Sequence, residues 1–381
     1  MHTIEDADMK KILYIVPTFS NGGIENSVKD LCNNLSKDNE IVLLCLCCNE
    51  IELKEQLSDK VKFISLDILN SKKGLINILR LFSQLFVMSR MIRKIGPDVI
   101  HTHVFFYHII PVLISMKLSG VRFKHVHTIH TSGMHYTNNN YVSNIKSYIE
   151  RKSYNYFDTN IVCISPMIKN IIKVKFPERL NYSYNIANGV DDAKFDLCGI
   201  RDKEECNICR FVYVARLVEG KNHITLLKAF KKLLEEKDNL ELVLLGDGNL
   251  YPVLNDYVIN NNLQSKVIFK GNVANVAYEL SKCDVGVFPS EYEGFSLAII
   301  EMMAMGLPII CSNIDAFISI FEKDEVLFFD CFDEKQLVKS MSILMNDLDK
   351  RKYYSAKSRF IAQRYSISKI VEKYNNMYGK L

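Results

Sequence analysis

The sequence predicts an α/β fold of two domains, each built around a parallel β-sheet. The chain has 381 residues, a length typical of two or three domains. Apolar runs typical of buried strands alternate with helical runs, and this alternation occurs on both sides of a polar, turn-rich segment. Hydrophobic residues make up 48% of the chain, which allows a sizeable core in each half.

Six strands are predicted in the first half of the chain. The run KILYIV indicates a buried strand at residues 11–16, and the apolar periodicity that follows indicates a helix at residues 24–35. Five more strand-like runs lie at residues 41–47, 61–66, 98–103, 123–130 and 160–164. Helical runs separate several of them, which is the order of repeated βαβ units.

The second half has the same rhythm without repeating the sequence. The polar segment at about 188–209 is predicted to be a linker. Strand-like runs follow at residues 211–215, 241–245, 266–270, 284–288 and 308–311. After about residue 334 the pattern is helical. Two such halves should leave a cleft, and open α/β sheets bind ligands outside the carboxyl ends of their strands.

Composition argues against several classes of protein. A formal net charge of +4 with 24% charged residues is far from that of a dedicated nucleic-acid binder. The start MHTIEDADMK lacks the pattern of a signal peptide, so the eleven cysteines are expected to be reduced thiols in the cytoplasm. Cys206 and Cys209 form a CxxC without a second cysteine pair at a usable distance, which argues against a zinc site. The apolar stretches 74–92 and 104–116 are interrupted or too short to span a membrane.

Two strand-to-helix loops carry residues suited to an anionic ligand. Gly22 and Gly23 precede the first helix, where backbone amides can approach a phosphate, although an ordinary tight turn uses the same glycines. Arg216 and Lys221 flank the corresponding loop of the second half. We expect both to be exposed in the cleft, where they can neutralise a diphosphate; the alternative is a pair of solvated loop charges. The GxG turn at 246–248 lacks the third glycine of a dinucleotide site, and a tight turn explains it.

The first half also contains a set of histidines. They are His101, His103, His108, His125, His127, His130 and His135. The set lacks HExxH or a similarly specific metal-ligand spacing, so hydrogen-bonded core or surface positions are expected for most of its members. His130 differs because it ends a strand and precedes the loop at 131–133, which predicts contact with a ligand in the cleft.

Two glutamates flank a predicted helix N-terminus in the second half. Glu293 lies in the loop after a strand, and Glu301 lies about two turns into a helix that is expected to begin near Phe295 and to stop at Gly306 and Pro308. The first backbone N–H groups of that helix have no intrahelical partner and can bind phosphate oxygens. With a carboxylate on each side to accept hydrogen bonds from hydroxyls, the segment suits a nucleotide sugar.

The ordered set of motifs resembles the retaining glycosyltransferases of family 4, which have the GT-B fold. The motifs are GGIE at 22–25, DVIHTH at 98–103, NGVD at 188–191, ARLVEGKN at 215–222, GDG at 246–248, VIFKG at 267–271 and EGFSLAIIEMMAMGLPII at 293–310. The last motif is specific, and the set covers nearly the whole chain. The resemblance implies two Rossmann-like domains facing each other across a cleft. The acceptor-side domain is expected at 1–188, the donor-side domain at 189–364, and a C-terminal helix that packs back on the first domain at 365–381.

The resemblance also implies roles for individual residues. Arg216 and Lys221 match the basic pair on the donor diphosphate, and Glu293 matches the contact to the donor-sugar hydroxyls. His130 matches the histidine near the transferred sugar, which completes the expected catalytic set, and Glu301 matches the ribose ligand. The other expected donor-binding residues are Gly22, Gly23, Gly294, Phe295, Ser296 and Leu297.

The function implied is retaining transfer of a sugar from a nucleotide sugar to a glycan, lipid-linked or other acceptor in cell-surface polysaccharide or glycoconjugate synthesis. A UDP-sugar is the donor that is common in the family. No metal or other cofactor is expected, because Arg216, Lys221 and the helix N-terminus can stabilise the charge on the leaving diphosphate. Two alternatives stay open: a nucleotide-sugar epimerase of similar architecture, and a non-catalytic partner subunit of a glycosyltransferase.

Residues 72–98 are predicted to contact a membrane surface. An apolar stripe that includes Phe82, Phe86 and Ile92 is expected to face the core, while Met88 and other side chains widen the apolar surface. Six basic residues accompany them, with Asp98 as the acidic residue that opposes them. A helix buried by its own domain or by a dimer partner is the competing interpretation. The protein is therefore expected in the cytoplasm, either free or at the inner face of the membrane.

Overall fold

The computed structural model describes residues 9–20, 22–47, 53–69, 80, 82–130, 140–195 and 208–381. The chain divides into two compact units. Unit 1 consists of Met1–Gly189 together with Ile367–Leu381, and unit 2 is Val190–Ser366. The boundaries inferred from the sequence, after residues 188 and 364, lie within two residues of these divisions.

Unit 1 is built on a parallel sheet with the strand order β3-β2-β1-β4-β5-β6-β7. The strands are β1 (Lys11–Val16), β2 (Glu40–Cys47), β3 (Val61–Leu69), β4 (Val99–Thr102), β5 (Lys124–Ile129), β6 (Asn160–Cys163) and β7 (Ser183–Asn185). The order reverses at β1, which lies between β2 and β4. Loops at the carboxyl ends of strands beside such a switch point are the usual ligand-binding loops of this class of sheet.

Helices cover both faces of this sheet. They are α1 (Gly23–Leu35), α2 (Leu85–Ile95), α3 (Phe106–Ser119), α4 (Tyr141–Tyr156) and α5 (Pro166–Lys175). Strand β1 shows why the run KILYIV is apolar without alternation. Ile12 and Tyr14 pack in one core with α1, whereas Leu13 and Ile15 pack in the other with α2 and α3. A strand buried on both faces needs apolar residues at successive positions.

Helix α2 buries a different stripe from the predicted one. Met88 and Ile92 enter the core, whereas Phe82 and Phe86 are 40% and 70% exposed. The prediction for these phenylalanines and for Met88 is therefore wrong. Residues two apart on a helix point about 200° apart, so burial of Met88 turns Phe86 outward. The rest of the segment, residues 72–79 and 81, lies outside the described residues. In the described part of the chain, no helix has the length and apolar character needed to cross a bilayer.

Unit 2 contains a second parallel sheet, with the order β10-β9-β8-β11-β12-β13. Its strands are β8 (Cys209–Val214), β9 (Leu240–Leu245), β10 (Val267–Gly271), β11 (Val285–Phe288), β12 (Ile309–Ser312) and β13 (Leu327–Phe329). Its helices are α6 (Asp192–Phe195), α7 (His223–Glu236), α8 (Tyr251–Asn260), α9 (Val276–Ser281), α10 (Leu297–Ala304), α11 (Asp315–Ile318), α12 (Glu334–Asn346) and α13 (Leu348–Ala362). As in unit 1, the strand order reverses at the first strand of the sheet, here β8.

The last helix of the chain, α14 (Ile367–Gly379), belongs to unit 1. Ile370, Tyr374 and Tyr378 pack in the same core as α1. The Tyr378 hydroxyl lies 2.6 Å from the Tyr14 hydroxyl and 2.6 Å from Nδ1 of His101. Buried polar groups need such partners, and these bonds tie α14 to strands β1 and β4.

Candidate active site

The loops that follow β8 and β11 carry the residues predicted to bind the donor diphosphate and sugar. The two strands are neighbours and pair in parallel, with Phe211 opposite Val285. Parallel neighbours end at the same edge of a sheet. This arrangement brings Lys221, after β8, next to Glu293, after β11.

Lys221 and Glu293 form an ion pair. The Lys221 Nζ lies 2.5 Å from Glu293 Oε1, and the two side chains are 21% and 12% exposed. Because little water screens this pair, the attraction is stronger than between two surface charges. The expectation that both cations are exposed is correct for Arg216 but wrong for Lys221, which is partly buried against Glu293.

Two residues that no sequence motif indicates hold Glu293 in place. Ser290 Oγ donates to Glu293 Oε1 at 3.0 Å and lies 2.8 Å from the Tyr213 hydroxyl, which is 3.0 Å from the Lys221 carbonyl oxygen. Burial, and secondarily the Glu293 charge, raise the pKa of Tyr213 well above its usual value, so this hydroxyl keeps its proton. Tyr213 lies in an apolar strand, where the pattern is typical of a core residue and carries no signal for this role.

The GxG turn packs on the backbone that carries Arg216. A Cβ atom at Gly246 would lie 2.2 Å from the Ala215 carbonyl oxygen, and one at Gly248 would lie 2.3 Å from the Leu217 carbonyl oxygen. No larger residue fits either position without moving this backbone. The motif therefore shapes the Arg216 loop, in agreement with the tight turn that the sequence indicates.

The loop after β11 leads into α10 without a side-chain cap. Ser296 occupies the N-cap position, yet its side chain accepts no hydrogen bond from the helix. The first N–H groups of α10, which begins at Leu297, are therefore not satisfied by this side chain and can bind an anion. Phe295 is 8% exposed and packs on Tyr365, with the ring centroids 5.4 Å apart. This contact anchors the loop just before the helix.

Gly294 and Glu301 lie on either side of that helix start. Gly294 is partly exposed in the loop, and Glu301 is partly buried on α10. Since α10 begins at Leu297, Glu301 lies just over one turn into the helix, nearer its N-terminus than the sequence predicts.

Of the two glycines at the start of α1, Gly22 has a close neighbour that a larger side chain would contact, and Gly23 does not. A Cβ atom at Gly22 would lie 2.4 Å from Oε2 of Glu25, and Thr18 Oγ1 donates to Oε1 of Glu25 at 2.6 Å. Gly22 thus makes room for a carboxylate at the N-terminus of α1, where negative charge is favourable. A Cβ atom at Gly23 would meet no heavy atom within 4 Å. The donor contact predicted for both glycines stays a prediction.

His130 forms a hydrogen bond with a second histidine of unit 1. Its Nε2 lies 2.7 Å from Nδ1 of His103. Burial is the main cause that lowers the pKa of His130 to about 3 and the pKa of His103 well below its usual value. Both rings are therefore neutral at pH 7, and one donates to the other. Nδ1 of His130 is buried and has no hydrogen-bond partner among the described residues.

Three further histidines are buried and hydrogen-bonded within unit 1, as expected for core positions. They are His101, His125 and His127. Across the described ranges, no group of three or more His, Cys, Asp or Glu side chains is placed to hold a metal ion. His135 and Cys206 lie outside those ranges.

Two family models match the chain. The model described as "Glycosyl transferases group 1" matches residues 207–359, and the model described as "Glycosyltransferase Family 4" matches residues 21–194. The two matches lie one after the other and together cover most of the sequence.

Individual relatives and a solved structure match over large parts of their length. The chain is 26% identical over 379 residues to the "GalNAc-alpha-(1->4)-GalNAc-alpha-(1->3)-diNAcBac-PP-undecaprenol alpha-1,4-N-acetyl-D-galactosaminyltransferase" of Campylobacter jejuni, covering 98% of this chain and 99% of the relative. It is 29% identical over 293 residues to the "UDP-Gal:alpha-D-GlcNAc-diphosphoundecaprenol alpha-1,3-galactosyltransferase" of Escherichia coli, covering 73% of each. The crystal structure of Anabaena HepE in complex with UDP-glucose has a TM-score of 0.78 at 16% identity, covering 98% of this chain and 100% of that one.

Proposed function

Because this chain belongs to the group 1 and family 4 glycosyltransferases and has the GT-B fold, we propose that it transfers the sugar of a UDP-sugar to a lipid-linked glycan with retention of the anomeric configuration. The Lys221–Glu293 pair beside the N-terminus of α10 carries this proposal. It places a fixed cation next to a fixed acceptor for hydroxyl groups. In a nucleotide sugar the diphosphate and the sugar hydroxyls are close together, because a single oxygen links the diphosphate to the sugar C1.

The leaving group determines the role of the cations. When the bond between the sugar C1 and the diphosphate oxygen breaks, negative charge grows on the departing diphosphate. Lys221, Arg216 and the first N–H groups of α10 are proposed to stabilise that charge. Groups that are already in place before the reaction do this most effectively, because they need no reorganisation. The ion pair with Glu293 and the bonds through Ser290 provide this preorganisation for Lys221.

On the sugar side, Glu293 is proposed to accept hydrogen bonds from donor-sugar hydroxyls. His130, as a neutral imidazole, is proposed to contact the transferred sugar; the resemblance to family 4 implies a histidine near that sugar. Retention requires that the acceptor attacks on the face from which the diphosphate leaves. We assign no protein nucleophile. The alpha linkages in the names of the two relatives are the outcome that retention produces from an alpha-linked donor.

A lipid-linked acceptor is proposed from the relatives. The names of both the Campylobacter and the Escherichia enzymes specify acceptors linked to undecaprenol through a diphosphate. UDP is proposed as the donor nucleotide because the Escherichia enzyme is named for UDP-Gal and Anabaena HepE is described with UDP-glucose. Residues 72–98, in which Arg90, Arg93 and Lys94 are exposed, stay a predicted membrane contact that would bring the enzyme to such a substrate.

A screen of nucleotide sugars with the purified protein tests this function. UDP-linked hexoses and N-acetylhexosamines, with GDP-linked sugars for comparison, are incubated with and without a diphosphoundecaprenol-linked glycan. We expect release of UDP that rises with the acceptor, and a lipid-linked product carrying one added alpha-linked sugar. An epimerised nucleotide sugar without transfer would favour the epimerase alternative. Binding of UDP without any turnover would favour the non-catalytic subunit.

Transfer is expected to persist after the divalent ions are chelated with EDTA. Lys221, Arg216 and the helix N-terminus supply the electrostatic stabilisation that a metal ion would otherwise give to the diphosphate. Initial rates with EDTA, and with added Mg²⁺ or Mn²⁺, provide the comparison. Complete loss of activity on chelation, with recovery on addition of one of these ions, would contradict metal-independent transfer.

A further inference from the structure

Helix α4 turns its apolar side toward the solvent. Its buried positions are occupied by Ser143, Ser147, Glu150 and Tyr154. Its exposed apolar side chains, between 37% and 80% exposed, are called the α4 face here: Tyr141, Val142, Ile145, Tyr148, Ile149 and Tyr156. A surface helix of a globular protein normally has the opposite arrangement, with apolar residues toward the core.

The packing of α4 explains why these side chains cannot turn inward. Tyr154 stacks on His127 with ring centroids 5.5 Å apart, and it meets Phe176 edge-on at 5.4 Å. The small side chains of Ser143 and Ser147 continue the same buried stripe toward the N-terminus. Since these contacts set the rotation of the helix, the α4 face is held in water. A contiguous exposed apolar patch on a soluble domain usually marks an interaction site.

The region that carries the α4 face is strongly basic. Residues 80–156 contain ten lysines and arginines but only two acidic residues, a formal balance of +8 in a chain whose total is +4. Of the two acids, Glu150 is buried and Asp98 accepts a hydrogen bond from the backbone N–H of Lys11. Arg151 is paired with Glu178. The remaining cations leave this region with a large excess of positive charge.

Two of these cations lie over aromatic rings of the α4 face. Lys152 lies 5.5 Å from the ring centroid of Tyr148, and Lys117 of α3 lies 4.5 Å from that of Tyr156. Ammonium groups held at this distance are attracted to the ring face. Positive charge is therefore interleaved with aromatic and aliphatic surface.

We propose that the α4 face docks on an anionic lipid bilayer. Tyrosine places an apolar ring at the lipid boundary and its hydroxyl in the headgroup layer, and lysines nearby attract anionic headgroups. A second copy of the chain is a poorer occupant, because a two-fold interface would bring the same cations against each other. The proposal goes beyond the transferase reaction, since docking requires no sugar substrate.

The topology gives this docking a consequence for the proposed acceptor. Helix α4 connects β5 and β6, which are parallel neighbours, and therefore runs in the opposite direction to them. Its N-terminal residues, Tyr141 and Val142, lie toward the edge of the sheet at which β5 ends and His130 follows. A bilayer on the α4 face is thus next to the ligand-binding edge of unit 1.

Vesicle flotation with the full-length protein and no substrates tests the proposal. Vesicles of phosphatidylcholine are compared with vesicles of equal parts phosphatidylcholine and phosphatidylglycerol, at about 0.05 M and about 0.5 M salt. The test variant is Tyr148→Ser with Ile149→Ser. The matched control is Val253→Ser with Phe360→Ser, which removes two apolar side chains of unit 2 that are 61% and 63% exposed.

We expect the wild type and the control to bind the anionic vesicles, and to bind them less at high salt. The test variant should show a partition coefficient at least about tenfold lower, with an unchanged melting temperature. A test variant that binds like the wild type would overturn the proposal, because binding would then reside elsewhere, such as residues 72–98. Equal binding of the wild type to neutral and anionic vesicles would also overturn the proposal.

Two further measurements distinguish lipid docking from dimerisation through the α4 face and from the proposed transferase function. Analytical ultracentrifugation that shows a concentration-dependent dimer, lost in the test variant, would assign the α4 face to a second copy and overturn lipid docking. UDP release without a lipid acceptor should be equal in all variants. Failure of vesicle binding with intact UDP release would contradict the docking alone and leave the transferase function standing.

Discussion

Replacing Lys221 with alanine is expected to lower kcat at least about a hundredfold, because the reaction loses a preorganised cation at the leaving diphosphate. A second effect acts in the same direction. Without Lys221, the Glu293 carboxylate has lost its ion-pair partner and its charge opposes the build-up of negative charge nearby. Single-turnover release of UDP from the donor measures the effect on chemistry, and thermal denaturation shows whether the variant is folded.

Control variants separate this role from a general effect of removing a cation. Lys237→Ala removes an exposed lysine at the end of α7 and should leave kcat unchanged. Lys221→Arg keeps the charge and should retain more activity than Lys221→Ala. Arg216→Ala is expected to lower kcat by about a hundredfold as well, since its side chain is exposed and available to the diphosphate. Normal turnover in both alanine variants would remove the two cations from the mechanism.

Replacing Glu293 with glutamine is expected to lower kcat at least about a hundredfold while the Kd for UDP changes by less than about threefold. The variant keeps the shape of the side chain and an oxygen that can accept a hydrogen bond from Lys221, but it loses the charge that accepts strong hydrogen bonds from sugar hydroxyls. UDP has no transferred sugar, so its binding does not report this contact. Calorimetry with UDP and initial rates with the nucleotide sugar measure the two quantities separately.

Glu301→Ala provides the contrast to that variant. Glu301 is proposed to contact the ribose, which is part of UDP. The Kd of the Glu301→Ala variant for UDP should therefore rise by about tenfold. Equal losses of UDP affinity in Glu293→Gln and Glu301→Ala would show that the two carboxylates do not divide the ligand between sugar and ribose. A double variant of Lys221 and Glu293 should lose less than the product of the single losses, because the two residues act as a unit.

Most strands of both sheets could be predicted because each contains a local signal. All eleven predicted strands are present, with ends that differ by no more than three residues. Strands β7 and β13 were missed. Each is three residues long and lies at the edge of its sheet, where one neighbour is enough to form it. So short a run shows no hydrophobic period, and its pairing depends on a strand that is distant in sequence.

The grouping of the site residues in unit 2 was also within reach of the sequence. Arg216, Lys221 and Glu293 follow strands, and loops at the carboxyl ends of parallel strands meet at one edge. The pairing of Lys221 with Glu293 could not be predicted from the sequence. Lys221 is partly buried against Glu293, and Ser290 and Tyr213 support the pair. These contacts depend on distances between side chains that are about 70 residues apart along the chain.

Helices α2 and α4 show most clearly what the sequence determines and what only the tertiary structure decides. The sequence by itself determined the order and type of the elements, the two α/β halves and the family resemblance, because periodicity and motif spacing are local properties of the chain. Only the tertiary structure decided which side of each helix is buried. Met88 in α2, and Ser143 and Tyr154 in α4, face inward, which leaves Phe86 and Tyr148 in the solvent. The rotation of a helix is set by what it packs against, and that partner is absent from the helix's own sequence.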